Sequence, residues 1–284
     1  MATLSSHREE RRPRVDVRSP IRLESAMNAL THPPAFVRPA RFSAAEWEAR
    51  VQLAAAYRIF DHLGWTELIY NHISLRVPDE HGHYLINPFG LHYSEVCASN
   101  LVKVDLEGNI VGHADWPINP AGITFHGAIH ATLPDAHCVM HLHTTETQAV
   151  CCLKDGLAFT NFYAAQLYGK VAYHDFEGIT VHADEGARIL KSAEGRPVLL
   201  LRNHGPVTIG ATVAQALVLM WTVTRACEVQ LATQSMGEAI PIPRTVLEKC
   251  VADSFQFSAK YSAGEDAFAA LRRLVDRKDP SYRL

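Results

Sequence analysis

The run Pro197-Val-Leu-Leu-Leu201 carries no polar side chain. Strand side chains alternate between faces, so such a strand is apolar on both and needs cover on both. A sheet containing it must lie between layers of helix. The surrounding sequence supplies those layers. Ser43-Ala-Ala-Glu46 is a capping box, and Val51, Ala54, Ala55, Ile59 and Leu63 follow at helical spacing until Gly64 offers a C-cap. Pro120 suits the first turn of a helix over 121–133, and further helices are predicted over 144–153, 184–192 and 245–262. Thr212-Val-Ala-Gln215 is a second capping box; it opens a long helix to about Met236, with Gly237 as C-cap. Short β-like runs at 72–77, 84–86, 101–104 and 110–111 read as a meander, and 170–173, 179–182 and 207–209 add strands. The mixture predicts one α/β domain, a mixed sheet covered by helices on both faces.

The 284 residues are 48% hydrophobic and 20% charged, an ordinary globular composition that can bury a core without disulfide staples. A net charge of −3 gives no case for a nucleic-acid partner. No apolar run reaches the ~18 residues of a membrane span. Of the six cysteines, none forms a CxxC pair, and Cys138, Cys151, Cys152 and Cys227 sit in apolar segments. That usage suits a reducing compartment, and with no apolar signal core at the N-terminus a cytoplasmic location is expected. Residues 1–41 hold Arg8, Arg11, Arg12, Arg14, Arg18, Arg22, Arg38 and Arg41 among five prolines. They read as an extended arm, either contacting a neighbouring subunit or polyanion or simply solvated. The folded domain is expected over 42–262. Residues 263–284 read as a short amphipathic tail with Leu271, Leu274 and Val275.

Chemistry concentrates in Cys138-Val-Met-His-Leu-His-Thr-Thr-Glu146. On a strand, His141 and His143 share a face while Leu142 points away, so two imidazoles can converge on one ion. A third ligand is required. His204 directly follows the strand buried on both faces, and Gly205 beside it permits close backbone approach. His141, His143 and His204 are therefore a candidate three-histidine metal site.

Asn119-Pro-Ala-Gly122, His126, Val139-Met-His-Leu-His-Thr144 and Leu201-Arg-Asn-His-Gly205 together resemble the class II aldolase/adducin head family. Asn71-His-Ile-Ser74, Ile86-Asn-Pro-Phe-Gly90 and Tyr168-Gly-Lys-Val-Ala-Tyr-His-Asp-Phe-Glu-Gly178 extend the resemblance, the last toward the adducin-like branch. The resemblance runs over roughly residues 44–240. It implies a three-layer α/β/α domain with a mixed, mainly antiparallel sheet, commonly assembled as a homotetramer. It also implies a divalent metal, zinc in the aldolases, held by His141, His143 and His204 and polarising a substrate carbonyl and hydroxyl.

The departures from the family pattern shape the expected chemistry. The aldolase branch has Ser-Ser-Glu where this chain has Pro120-Ala121-Gly122, so the acid/base glutamate falls on Gly122. A Thr-Gly pair that helps bind phosphate falls on Phe89-Gly90. Losing hydroxyl donors beside an aromatic ring argues for an unphosphorylated, hydrophobic or aromatic hydroxy or keto acid, because a buried phosphate needs dense donors. Asn71, Phe89, Gly90, Gly122 and His126 are the expected substrate-binding positions. Glu146 and Tyr168 are the candidate catalytic groups, with Tyr163 a further hydroxyl. Three functions are open at this point: a metal-dependent carbon–carbon lyase, an iron(II) oxygenase or decarboxylase, and a non-enzymatic adducin-like module.

Overall fold

The computed structural model describes residues 36–182, 184–255 and 260–284. The arm residues Arg8 to Arg22 lie outside the described residues. The strands are β1 (His72–Arg76), β2 (His83–Ile86), β3 (Val102–Asp105), β4 (Cys138–His141), β5 (Val171–His174), β6 (Val198–Leu201) and β7 (Gly205–Gly210). They form one sheet in the order β3-β2-β1-β4-β7-β6-β5. Only the β5–β6 pairing is parallel, so the sheet is mixed and mainly antiparallel. The helices are α1 (Ala44–Leu63), α2 (Pro120–Thr132), α3 (Thr145–Cys151), α4 (Phe162–Gln166), α5 (Glu185–Ala193), α6 (Val213–Gln234), α7 (Arg244–Asp253) and α8 (Glu265–Lys278).

The apolar run at β6 does what its pattern requires. Val198 and Leu200 enter a core shared with α1 and α6, while Leu199 and Leu201 enter a second core shared with α2 and α5. β4 repeats the alternation: Cys138 and Met140 join the first core and Val139 the second. His141 has the parity of Val139 and so faces the α2 side of the sheet.

Caps form much as read. Ser43 accepts from the Glu46 amide at 3.0 Å, and Gly64 ends α1 with φ 71°. The Glu46 carboxylate does not complete the box; it pairs with Arg50 at 2.8 Å and Lys103 at 3.1 Å. Five expectations need correction. Residues 179–182 form no strand; they are irregular chain beside the cavity described below. Residues 110–111 contribute a single bridge, Val104 to Ile110. The long helix stops at Gln234 with Ser235 as C-cap, leaving Met236 exposed and Gly237 beyond it. The helix opened near 245 ends at Asp253, because Ser254 is extended and Phe255 is left-handed with φ 66°. The segment 263–284 is more than a tail. Phe268 and Val275 of α8 and Tyr282 beyond it are buried in the first core.

Candidate metal centre

β4 ends at His141, and the β6–β7 turn carries His204. Antiparallel pairing of β4 with β7 brings the two places together, His141 lying opposite Val207. His143 follows β4 on the same side. The Nε2 atoms of His141 and His143 are 2.8 Å apart, and those of His141 and His204 are 3.3 Å apart. All three ligand nitrogens lie within 4.8 Å of one another. His141 Nδ1 donates to the Pro206 carbonyl at 3.0 Å. That bond fixes the tautomer and leaves Nε2 as a lone pair, the usual arrangement behind a ligating imidazole. Burial, then mutual proximity, pushes His141 far below the ordinary histidine value and His143 down to about 4. Burial lowers His204 as well. Three neutral imidazoles converging on one point are a donor set that fits a divalent cation such as zinc.

Gly205 makes the convergence possible. A Cβ there would sit 2.6 Å from the Leu142 carbonyl oxygen and 3.0 Å from His143 Cδ2. Gly205→Ala is therefore expected to destabilise the fold by about 1–3 kcal/mol, as overpacked sites do. The shifted His143 should also weaken zinc affinity. Urea unfolding and a zinc titration check both effects.

The triad opens into a cavity of about 690 Å³. Phe89, Phe125, Phe176, Ile179 and Val181 supply apolar wall, and Asn71, Asn119, Gln148, Thr180 and Asn203 supply polar groups. Among the described residues no lysine or arginine lines it. Phe89, Pro120 and Ala121 line the same cavity as the triad, whereas Gly122 of the same loop does not. Asn71 also lies in the wall, in left-handed backbone with φ 67°, and its buried Oδ1 has no protein partner among the described residues.

Other expected positions fall elsewhere. Gly122 and Gly90 stand behind the wall: a Cβ at Gly122 would meet His72 Cγ at 3.1 Å, and one at Gly90 would meet Trp116 at 3.5 Å. His126 is fully buried behind His72 rather than facing the cavity. Glu146 lies toward α6, where burial raises the Cys227 and Glu228 values and the charge of Glu146 adds to the rise in both. Tyr168 stacks edge-on against Phe159, with ring centroids 5.2 Å apart. Tyr163 packs edge-on against Phe162 at 5.4 Å. None of these three lines the cavity. Sequence reasoning missed His72, Phe176, Ile179, Thr180, Val181, Gln148 and Asn203. His72 is placed by the β1–β4 pairing, which sets it directly opposite His141.

The buried imidazoles make the fold acid-sensitive. Burial lowers His72 to about 3, His130 to about 3 and His143 to about 4. Below the unfolded value of about 6.5 the unfolded chain binds more protons than the folded one. Stability is therefore complete above pH 6.5 and lost as pH falls toward 4 and then 3. For chelator-stripped protein we expect a loss of a few kcal/mol, about 2 per imidazole, between pH 6.5 and pH 5. Urea midpoints across that window would show it; a flat profile would contradict it.

Known proteins resemble this chain in sequence and in fold. The chain is 48% identical over 242 residues to alpha-adducin of Rattus norvegicus, covering 80% of this chain and 33% of that protein. The chain thus spans about one third of adducin's length. A crystal structure of an aldolase II superfamily protein from Pseudomonas syringae superposes with TM-score 0.80 at 40% identity, covering 86% of this chain and 98% of that one. L-fuculose 1-phosphate aldolase from Glaciozyma antarctica superposes with TM-score 0.75 at 28% identity, covering 91% and 99%. Residues 51–231 match the family described as the Class II Aldolase and Adducin N-terminal domain, and the chain belongs to that family.

Proposed function

We propose that this chain is a metal-dependent carbon–carbon lyase, of aldolase or decarboxylase type, acting on an unphosphorylated hydroxy or keto acid. The observation that carries the reading is the neutral three-imidazole cluster opening into a largely apolar cavity without a lysine or arginine in its wall. A divalent ion bound by His141, His143 and His204, zinc by preference over iron(II), would polarise the substrate carbonyl. The usual iron triad replaces one histidine with a carboxylate, and no carboxylate joins the cluster among the described residues.

The chain's own residues supply the rest. Phe89 and Phe176 exclude water and favour an apolar substituent on the acid. Asn71 Oδ1 offers a hydrogen-bond acceptor in the wall. A phosphate dianion finds neither a cationic side chain nor the Ser-Ser hydroxyls of the aldolase branch, whose places are taken by Pro120 and Ala121. Glu146 and Tyr168 could act in the reaction only from a different placement or from a neighbouring subunit.

A second reading has its own support. The 48% identity to alpha-adducin and the glycine at position 122 favour a non-enzymatic interaction module. The two readings separate on one assay. Zinc-loaded protein should split unphosphorylated 4-hydroxy-2-keto acids, stop when a chelator is added, and leave sugar phosphates untouched. Turnover of sugar phosphates in preference would overturn the substrate assignment; no turnover on a panel of such acids would favour the module.

We also place the chain in the cytoplasm as a homotetramer. Its cysteines are free, and no helix among the described residues is long and apolar enough to cross a membrane. Phe176, Ile179 and Val181 are exposed at the cavity and would be covered by a neighbouring subunit. Light scattering should return four times 31.5 kDa.

A further inference from the structure

From the cavity wall inward runs a row of polar side chains that the metal chemistry does not use. His72 Nδ1 is 2.8 Å from His126 Nε2. His126 Nδ1 is 2.5 Å from Ser74 Oγ, which is 2.7 Å from His130 Nε2. His130 Nδ1 is 2.8 Å from the Ala136 carbonyl oxygen. β1 supplies His72 and Ser74, two residues apart on one strand face, and α2 supplies His126 and His130, one turn apart. All four side chains are buried. Among the described residues no carboxylate bonds to the row, so burial keeps its imidazoles neutral.

Neutrality gives the row a direction. A carbonyl only accepts, so His130 carries its proton on Nδ1 and has a bare Nε2. Ser74 must donate to that nitrogen, and its oxygen then accepts from His126 Nδ1–H. His126 Nε2 is thereby bare, and His72 donates to it from Nδ1. The remaining nitrogen of His72, Nε2, is bare too. His72 lines the cavity, and its Nε2 has no protein partner among the described residues. The same ring packs against Gly122, a Cβ there meeting His72 Cγ at 3.1 Å. An imidazole from β1 thus fills the space beside the position where the aldolase branch carries glutamate.

We propose that the Ala136 carbonyl, acting through His130, Ser74 and His126, fixes His72 as the Nδ1–H tautomer, so that its Nε2 is a standing hydrogen-bond acceptor for a ligand hydroxyl beside the histidine triad. His130, Ser74 and His126 are positioning residues; His72 touches the ligand. The inference rests on the metal reading only for where the ligand sits. A 2-hydroxy acid offers its carboxylate and hydroxyl to a metal, and His72 selects those that carry a further hydroxyl, the 2,3-dihydroxy acids.

Two-bond proton–nitrogen NMR of the metal-free full chain tests the row. His72, His126 and His130 should each show one tautomer, protonated at Nδ1. Ser74→Ala should leave His72 and His126 as tautomer mixtures, and Ser74→Thr should restore them. A wild-type His72 protonated at Nε2, or a Ser74→Ala chain with His72 unchanged, would overturn the proposal; if Ser74→Ala does not fold, the wild-type tautomer decides. Calorimetry of zinc-loaded chain tests the acceptor. Glycerate should bind about tenfold more tightly than lactate, the worth of one hydrogen bond, and the ratio should fall to about one in His72→Phe. Equal affinities in the wild type would overturn the acceptor role. A chain that binds no zinc would instead contradict the reading of the triad, and the metal-free tautomer measurement then decides this proposal alone.

Discussion

His204→Ala should abolish tight metal binding while leaving the chain folded. The substitution reduces three converging imidazoles to two, His141 and His143, whose Nε2 atoms stay 2.8 Å apart. Loss of a partner behind a ligand already costs 10–100-fold in metal affinity, so loss of a ligand should cost more than about 100-fold. The fold should tolerate the change. His204 sits in the β6–β7 turn, is only partly buried, and makes an edge contact with Phe176 at 6.4 Å. Metal-free stability should move by less than about 1 kcal/mol, as at most sites outside a packed core. Competition against a chromophoric chelator reads the affinity, and thermal melting reads the fold. Unchanged zinc affinity in the folded variant would remove His204 from the site.

Tyr282→Ala should cost about 3–5 kcal/mol, the range for deleting a buried aromatic ring. Tyr282 is fully buried, its hydroxyl donates to Asp276 Oδ1 at 2.6 Å, and its carbonyl accepts from the Ala98 amide at 2.9 Å. Around it, the Arg58 guanidinium holds the Asp279 carboxylate and reaches Ser281 Oγ at 3.2 Å and the Ser94 carbonyl at 2.6 Å. The ring therefore locks the C-terminal segment onto α1 and the turn after β2. Urea denaturation gives the number; a loss below about 1 kcal/mol would mean that this segment is a dispensable appendage.

That segment also shows where the sequence stopped being readable. Leu271, Leu274 and Val275 mark an amphipathic stripe, but a stripe does not say whether it docks. Docking here depends on Tyr282 and on Arg58, which is 221 residues from its partner Asp279. No local pattern reports such a pair. By contrast β6 was legible because it is buried on both faces, and a strand of that kind needs no partner to be recognised. The triad was legible for a similar reason. His-x-His sets two ligands by strand parity alone, and His204 is marked by the glycine that lets the backbones close to within contact. The rest of the cavity was not. Phe176, Ile179 and Val181 lie in irregular chain whose apolar character mimicked a strand at 179–182. Glu146 looked close to the metal because it stands three residues from His143, yet the helix it enters turns it toward Cys227. His72 required the β1–β4 register, a pairing across 69 residues, before it could be placed opposite His141. The family resemblance supplied the fold and the ligand set, and Gly122 was its most informative mismatch, since the structure shows an imidazole packed against that position.

We propose that His141, His143 and His204 together hold a divalent ion. Elemental analysis of full-length protein, purified without chelators or affinity metals, tests it most directly. The account predicts close to one zinc per chain in the wild type and less than about a tenth of that in His204→Ala, in line with the affinity loss expected above. Wild-type protein that holds no stoichiometric metal, and takes up none when zinc is supplied, would contradict it.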